Sequence, residues 1–76
     1  MKPIKEFDFV YTNQNGDFNT VGIVVVINND GKLELTITSE SLLAAEELEK
    51  IAKDAAQTRL RMNLTDDYKI NFIQKV

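Results

Sequence analysis

Two turn dipeptides, Asn15-Gly16 and Asp30-Gly31, divide the first half of the chain into segments rich in apolar residues. Asn, Asp and Gly tolerate the positive φ angles that a two-residue hairpin turn requires. The segments between the turns show the alternation or the β-branched composition that is typical of strands. We therefore predict three consecutive antiparallel strands joined by tight hairpins. These strands cover residues 6–12, about 19–28, and 33–38.

The hydrophobic period changes from two to 3.6 residues after Ser39. Between about Ser41 and Met62, apolar side chains recur on one face of a helix and charged side chains occupy most of the other. We predict one amphipathic helix there, with Ser39 or Ser41 as its N-cap and Asn63 in the left-handed conformation at its end. Residues 68–75 alternate again and predict a fourth strand. The order β-β-β-α-β indicates an α+β fold.

The fourth strand has two possible positions in the sheet. A single helix returns the chain to the starting end of strand 3, so strand 4 runs parallel to strand 3. A right-handed crossover allows it beside strand 1, in the order 4-1-2-3, or beside strand 3. Lys69 and Lys75 could pair with Glu6 and Asp8 of strand 1. We favour the order 4-1-2-3, in one four-stranded mixed sheet with the helix packed on one face.

Two-residue loops also fix which strand residues share a face of the sheet. With these loops, Phe9 lies opposite Gly22, and Val26 lies opposite Leu35. One face then packs against the helix, and the other carries an apolar strip along strand 2. The predicted core face comprises Phe7, Phe9, Tyr11, Val24, Val26, Leu33, Leu35 and Ile37. The predicted strip comprises Val21, Ile23, Val25 and Ile27, extended by Val10 and Ile73.

An apolar strip with a polar rim is typical of an association surface. The chain has 76 residues without Cys or His, so its small core cannot be reinforced by disulfides or by the common zinc sites. Association with a partner is the remaining source of stability. We predict a small non-catalytic protein-interaction module that forms a homodimer through the strip. Ordinary β propensity of a central strand is the alternative explanation.

The charged residues suggest two further hypotheses. An acidic helix face suits an inhibitor or regulator, of the type found on mobile elements, that engages a basic site on a partner protein. A basic cluster near the end of the chain suits weak nucleic-acid binding, although the net charge of −3 argues against it. The helix dipole also explains part of this charge distribution. The acidic set is Glu46, Glu47, Glu49 and Asp54, and the basic set is Arg59, Arg61, Lys69 and Lys75.

No catalytic or cofactor motif is recognisable in the sequence. Ser39 and Ser41 have no His or Cys with which to form a common nucleophilic triad. Asp66-Asp67 lacks the spacing of an EF-hand and is interpreted as a polar turn. A glycine-rich phosphate loop is also absent from the sequence. We expect no enzyme activity, no cofactor, no metal and no small-molecule substrate.

The whole chain, residues 1–76, is predicted to form a single compact domain. Its longest apolar run covers residues 23–27, which is too short to span a membrane, and its start has no apolar stretch of signal-peptide length. Absence of Cys fits a reducing compartment. We therefore expect a soluble, cytoplasmic protein.

Overall fold

The computed structural model describes residues 3–65 and 67–75, so Asp66 of the predicted polar turn lies outside the described residues. The described chain confirms the predicted α+β class, with one four-stranded mixed sheet and one helix. The elements in chain order are β1 (Lys5–Thr12), β2 (Phe18–Ile27), β3 (Leu33–Ser39), α1 (Ala45–Ala55), a π-helical turn (Ala56–Leu60) and β4 (Tyr68–Gln74).

β4 pairs in parallel with β3, so the sheet order is β1-β2-β3-β4. This is the second of the two positions that the crossover allows, and it corrects the favoured position beside β1. The polar partners of β4 lie on β3. The Asn71 side-chain amide donates to Glu34 Oε2 at 3.2 Å and to Thr36 Oγ1 at 3.4 Å. Lys69 stands opposite Glu34 in the same ladder, so its acidic neighbour is on β3 instead of β1.

Both hairpins close with three loop residues instead of two. The backbone N–H of Asn13 donates to the backbone carbonyl of Asp17 at 2.9 Å. The backbone carbonyl of Asn13 accepts from the N–H of Gly16 at 3.0 Å. Gly16 has a φ of 84°, which identifies a type I turn followed by a left-handed bulge residue. Residues 28–32 repeat this arrangement, with Gly31 at a φ of 76°.

The asparagine before each loop also holds the loop backbone. Asn13 Oδ1 accepts hydrogen bonds from the amides of Asn15 at 2.9 Å and Asp17 at 3.0 Å. Asn28 Oδ1 likewise accepts hydrogen bonds from the backbone amides of Asp30 at 2.9 Å and Lys32 at 3.0 Å. Asn side chains commonly stabilise turns by bonding to the backbone two residues ahead. An Asn three residues before the turn glycine is therefore the sequence signal for the longer loop.

The extra loop residue reverses the two faces of β2. Ile23 pairs with Phe7 on β1 and with Ile37 on β3, and its side chain is only 1% exposed. A register shift of one residue moves every side chain of a strand to the other face. The predicted apolar strip is therefore wrong along most of its length. Val21, Ile23 and Val25 belong to the core, while Val24 and Val26 lie on the open face.

The helix begins later and ends earlier than the sequence predicts. Its N-cap is Ala44, whose methyl group cannot accept a hydrogen bond. Ser39 is held in the β3 ladder and its Oγ accepts the Ser41 amide at 3.1 Å, so neither serine caps the helix. The π-helical turn extends α1 by five residues. Arg61, with a φ of 57°, takes the left-handed position that was predicted for Asn63.

The core lies between α1 and the middle of the sheet. Leu35 and Ile37 of β3 are fully buried, as are Ile51, Ala52 and Ala55 of α1. The small alanine side chains let the helix approach the sheet closely, and each large buried side chain stabilises the fold by about 1.5–3 kcal/mol. α1 lies over β3 and β4, so the far edge of the sheet receives less cover.

Candidate binding groove beside strand β1

A groove of about 500 Å³ lies between β1 and α1. It exists because the helix covers β3 and β4 and leaves the helix side of β1 partly open. Phe9 and Tyr11 point to this side of β1 and are only half-buried. Together with Ile51 of the helix they form the apolar part of the groove. The groove therefore offers aromatic surface to a ligand.

Charged side chains of α1 form the wall of the groove that faces β1. Glu46, Lys50 and Asp54 recur every fourth residue, and Glu47 lies on the same flank of the helix. Three carboxylates therefore meet one ammonium group along this wall. The structure thus combines an acidic wall with an aromatic floor.

Glu49, the fourth acid of the predicted set, is on the opposite flank of the helix. Its Oε1 atom accepts a hydrogen bond of 3.4 Å from the Tyr68 hydroxyl of β4. The structure therefore brings three of the four predicted acids to the groove and directs the fourth toward the other edge of the sheet.

β1 is an edge strand, so one side of its backbone faces away from the sheet. Asn13 and Asp17 form a hydrogen-bonded pair, and bonded and non-bonded pairs alternate along antiparallel strands. Val10 and Thr12 therefore lie in non-bonded pairs and direct their N–H and C=O groups away from β2. Both residues line the groove. The groove thus includes a stretch of strand edge that can accept another strand.

Arg59 covers the first half of the same edge. Its Nη1 atom donates to the Asp8 carbonyl at 3.2 Å, and its guanidinium carbon lies 4.5 Å from the centroid of the Phe7 ring. The Arg59 carbonyl in turn accepts a hydrogen bond of 2.8 Å from Lys5 Nζ. The accessible edge therefore begins after Asp8 and continues to the first hairpin.

Apolar side chains flank this edge on the open face of the sheet. Val10 is 57% exposed, and Phe18, which pairs with Thr12, is 78% exposed. Both line the groove, which therefore continues around the edge of β1 from the helix side to the open face. Phe18 is not among the site residues that the sequence predicts. Its position as the first residue of β2 places it opposite the end of β1, where a large aromatic side chain has few neighbours to cover it.

The Tyr11 hydroxyl is a polar group in the groove without a hydrogen-bond partner. Its oxygen is shielded from solvent, and no side chain or backbone group in the described ranges bonds to it, although the Asn19 amide lies nearby. Burial, and to a smaller extent the neighbouring Glu47 carboxylate, raises the pKa of Tyr11. An unpaired buried hydroxyl destabilises a fold by about 1–3 kcal/mol. A ligand that bonds to this oxygen would recover part of that free energy.

The remaining strip residues do not form a common surface. Val10, Ile27 and Ile73 are all exposed, as predicted. Val10 and Ile73 belong to the two opposite edge strands, however, and Ile27 is on the helix side at the end of β2. With Val21, Ile23 and Val25 in the core, the predicted contact centre on the open face is absent from the described chain.

The predicted basic cluster is also divided. Arg59 packs against β1, whereas Lys69 lies on β4 at the opposite edge of the sheet. Lys75 directly follows β4, and its amide donates to the Ser39 carbonyl at 2.8 Å. Arg61 occupies the left-handed position after the π-helical turn. These bases therefore do not share one phosphate-binding surface.

Within residues 3–65 and 67–75, no cluster of three or more acidic, His or Cys side chains could hold a metal ion. No helix in this part of the chain has the length and apolar character needed to cross a membrane. Comparison with protein-family models, curated proteins and solved structures finds no match in any of the three.

Proposed function

We propose that the chain is a non-catalytic protein-interaction module that binds a basic segment of a partner protein in the groove between β1 and α1. The observation that carries the proposal is the acidic wall of Glu46, Glu47 and Asp54 beside the rings of Phe9 and Tyr11. Lys and Arg fit such a groove because their aliphatic stems pack on apolar surface while their charged ends reach carboxylates. Aromatic faces also attract cations directly.

This proposal keeps the predicted interaction function and most of the acidic set. It replaces the homodimer hypothesis, since Val21, Ile23 and Val25 cannot serve as contacts while they are buried. Two copies that met through the groove would bring carboxylates of the same sign together, which disfavours self-association there. We also propose a cytoplasmic location, which a composition without Cys favours.

The test uses a fluorescein-labelled eight-residue peptide in which Arg and Val alternate, with binding measured by fluorescence anisotropy. A peptide with Glu in place of Arg is the charge control. We expect the Arg peptide to bind in the micromolar range and to weaken as salt rises, because the carboxylates of the wall are solvent-accessible. The Glu peptide should not bind. If the Arg peptide fails to bind at low salt, the proposal is wrong.

Variants of α1 locate the binding site. The double change Glu47→Gln with Asp54→Asn removes two groove carboxylates and should raise the Kd about fivefold or more. Glu49→Gln is a matched control, because it removes a carboxylate from the opposite flank of the same helix. It should change the Kd by less than about twofold. Equal effects per charge removed would indicate attraction to the overall charge of the protein and would contradict a groove site.

A further inference from the structure

We propose that the partner segment binds as an added β-strand along the free edge of β1, with basic side chains in the groove and apolar side chains on the open face. This inference rests on the proposed function, and it adds the conformation and the residue pattern of the partner. Three features of β1 support it: its backbone, the surfaces on its two sides, and the point at which Arg59 closes the edge.

The backbone of β1 supplies the hydrogen bonds that strand addition needs. Val10 and Thr12 each direct one N–H and one C=O outward, and two residues of a strand span about 7 Å. An extended segment presents donors and acceptors at the same spacing. A helical segment satisfies its own backbone and cannot use these groups. The edge therefore favours an extended partner.

The two sides of β1 differ in chemistry, and this difference predicts a sequence pattern. Successive side chains of a strand point to opposite faces. On the helix side, an added strand meets the acidic wall, represented by Glu47 and Asp54. On the open face it meets the exposed side chains of Val10 and Phe18. A partner in which basic and apolar residues alternate satisfies both sides.

Arg59 limits the site at one end. Its hydrogen bond to the Asp8 carbonyl occupies the next outward group of the edge, and its charge repels basic side chains from that end. Basic residues of the partner are therefore expected toward Tyr11 and the first hairpin. A second copy of this chain is a poorer occupant, because pairing β1 with β1 would place two acidic walls along one shared groove.

The first test uses two N-methylated forms of the Arg-Val peptide, one methylated at every Arg amide and the other at every Val amide. Only alternate amides of an added strand face β1. We therefore expect one form to lose at least about tenfold in affinity and the other to bind nearly as well as the parent peptide. Loss of affinity on Val methylation indicates antiparallel addition. In that arrangement the Val residues of the peptide lie opposite Val10 and direct their backbone amides toward β1. Loss with Arg methylation indicates parallel addition.

Equal behaviour of the two methylated forms would overturn strand addition. Binding of the parent peptide and its dependence on Glu47 and Asp54 would then still support the groove as a binding site. Failure of the parent peptide to bind would overturn both proposals. The two failures are therefore distinguishable.

The second test changes the protein. Val10→Pro removes an outward N–H that the β1–β2 ladder does not use, and proline is tolerated at such edge positions. Val10→Ala is the matched control, because it shortens the side chain and keeps the amide. We expect Val10→Pro to weaken peptide binding about tenfold more than Val10→Ala, with amide spectra showing an intact sheet. Equal affinities of the two variants for the peptide would overturn the inference. The inference would also be overturned if the unsubstituted protein formed a dimer that excluded the peptide and that Val10→Pro dissociated.

Discussion

The Arg59 guanidinium group stacks on the Phe7 ring, with 4.5 Å between the guanidinium carbon and the ring centroid. This contact packs the π-helical turn at the end of α1 against the edge strand β1. The hydrogen bond from Arg59 to the Asp8 carbonyl reinforces it and shields that part of the edge from other strands. A basic residue that composition alone would place in a charged cluster therefore has a structural role.

Replacement of Arg59 should loosen this end of the fold. Arg59→Ala removes the cation–π contact and the bond to Asp8, so we expect the free energy of unfolding to fall by about 0.5–1.5 kcal/mol. Urea denaturation measures the change. Lys53→Ala is the control, since it removes an exposed cation from the same helix. A loss no larger than that of the control would contradict the role of Arg59.

The faces of β2 can be tested with two neighbouring lysine substitutions. Ile23→Lys places a charge in the core and should unfold the protein. Burying an unpaired charge costs more free energy than the several kcal/mol of net stability that a small domain has. Val24→Lys places the charge on the open face, directly opposite Glu6, and should retain the fold. Circular dichroism with thermal melting checks both. A folded Ile23→Lys variant beside an unfolded Val24→Lys variant would restore the predicted strip.

The glycines test the backbone conformation of the first loop and of β2. Gly16 has a φ of 84°, so Gly16→Ala should lower the free energy of unfolding by about 1–2 kcal/mol. Gly22 lies in extended β2, and a Cβ there would meet Thr38 Cβ at 3.9 Å, an ordinary contact. Gly22→Ala should therefore be neutral, or stabilising by up to about 1 kcal/mol. Chemical denaturation compares the two variants, and the reverse order of stabilities would contradict the loop geometry.

Glu34 makes the free energy of unfolding depend on pH in the acidic range. The side-chain amide of Asn28 lowers the pKa of Glu34, partial burial opposes this, and Asn71 and Lys69 add smaller decreases. Because the folded pKa lies below the unfolded value, the stabilisation is present above the unfolded pKa and is lost as pH falls through the folded pKa.

Glu34→Gln should therefore lower the urea midpoint at neutral pH and reduce its fall toward about pH 3. The substituted amide cannot accept both neighbouring amide donors as a carboxylate does. Glu40→Gln, at an exposed position after β3, is the control. If both variants keep the pH dependence of the parent protein, Glu34 does not contribute to it.

The Tyr11 hydroxyl predicts a substitution that does not destabilise the fold. Tyr11→Phe removes a shielded oxygen without a partner in the described chain, so the free energy of unfolding should stay constant or rise by up to about 1 kcal/mol. Tyr68→Phe, which removes the bond to Glu49, is the comparison and should be neutral or slightly destabilising. Calorimetry gives both values. A clear loss of stability in Tyr11→Phe would reveal a partner for this hydroxyl.

Much of the architecture could be predicted from local patterns. The four strands, the helix between the third and fourth, and the inward positions of Phe7, Phe9 and Tyr11 follow from side-chain period and turn residues. The predicted loop length is wrong because the glycine of each dipeptide is a left-handed bulge residue, the third of the loop, and not the second residue of a complete turn. Asn13 and Asn28 are the local signal for three-residue loops, because their side chains accept hydrogen bonds from the loop amides.

The candidate site could be predicted only in part. The acidic residues were identified, but their division between Glu47 and Asp54 on one flank and Glu49 on the other depends on where the helix lies above the sheet. The exposure of Phe18 follows from its place on the open face at the start of β2, which the helix does not cover, whereas the groove on the other face forms where the helix leaves β1 uncovered. No local pattern in the chain reports how far a helix reaches across a sheet.

The sequence alone determined which segments are strands and which is the helix, because periodicity and turn preference act over a few neighbouring residues. The tertiary structure decided that β4 joins β3, that Ile23 faces the helix, and that β1 keeps a free edge. These outcomes depend on contacts between distant segments. A one-residue difference in a loop or a change of sheet edge leaves local patterns intact and changes every such contact.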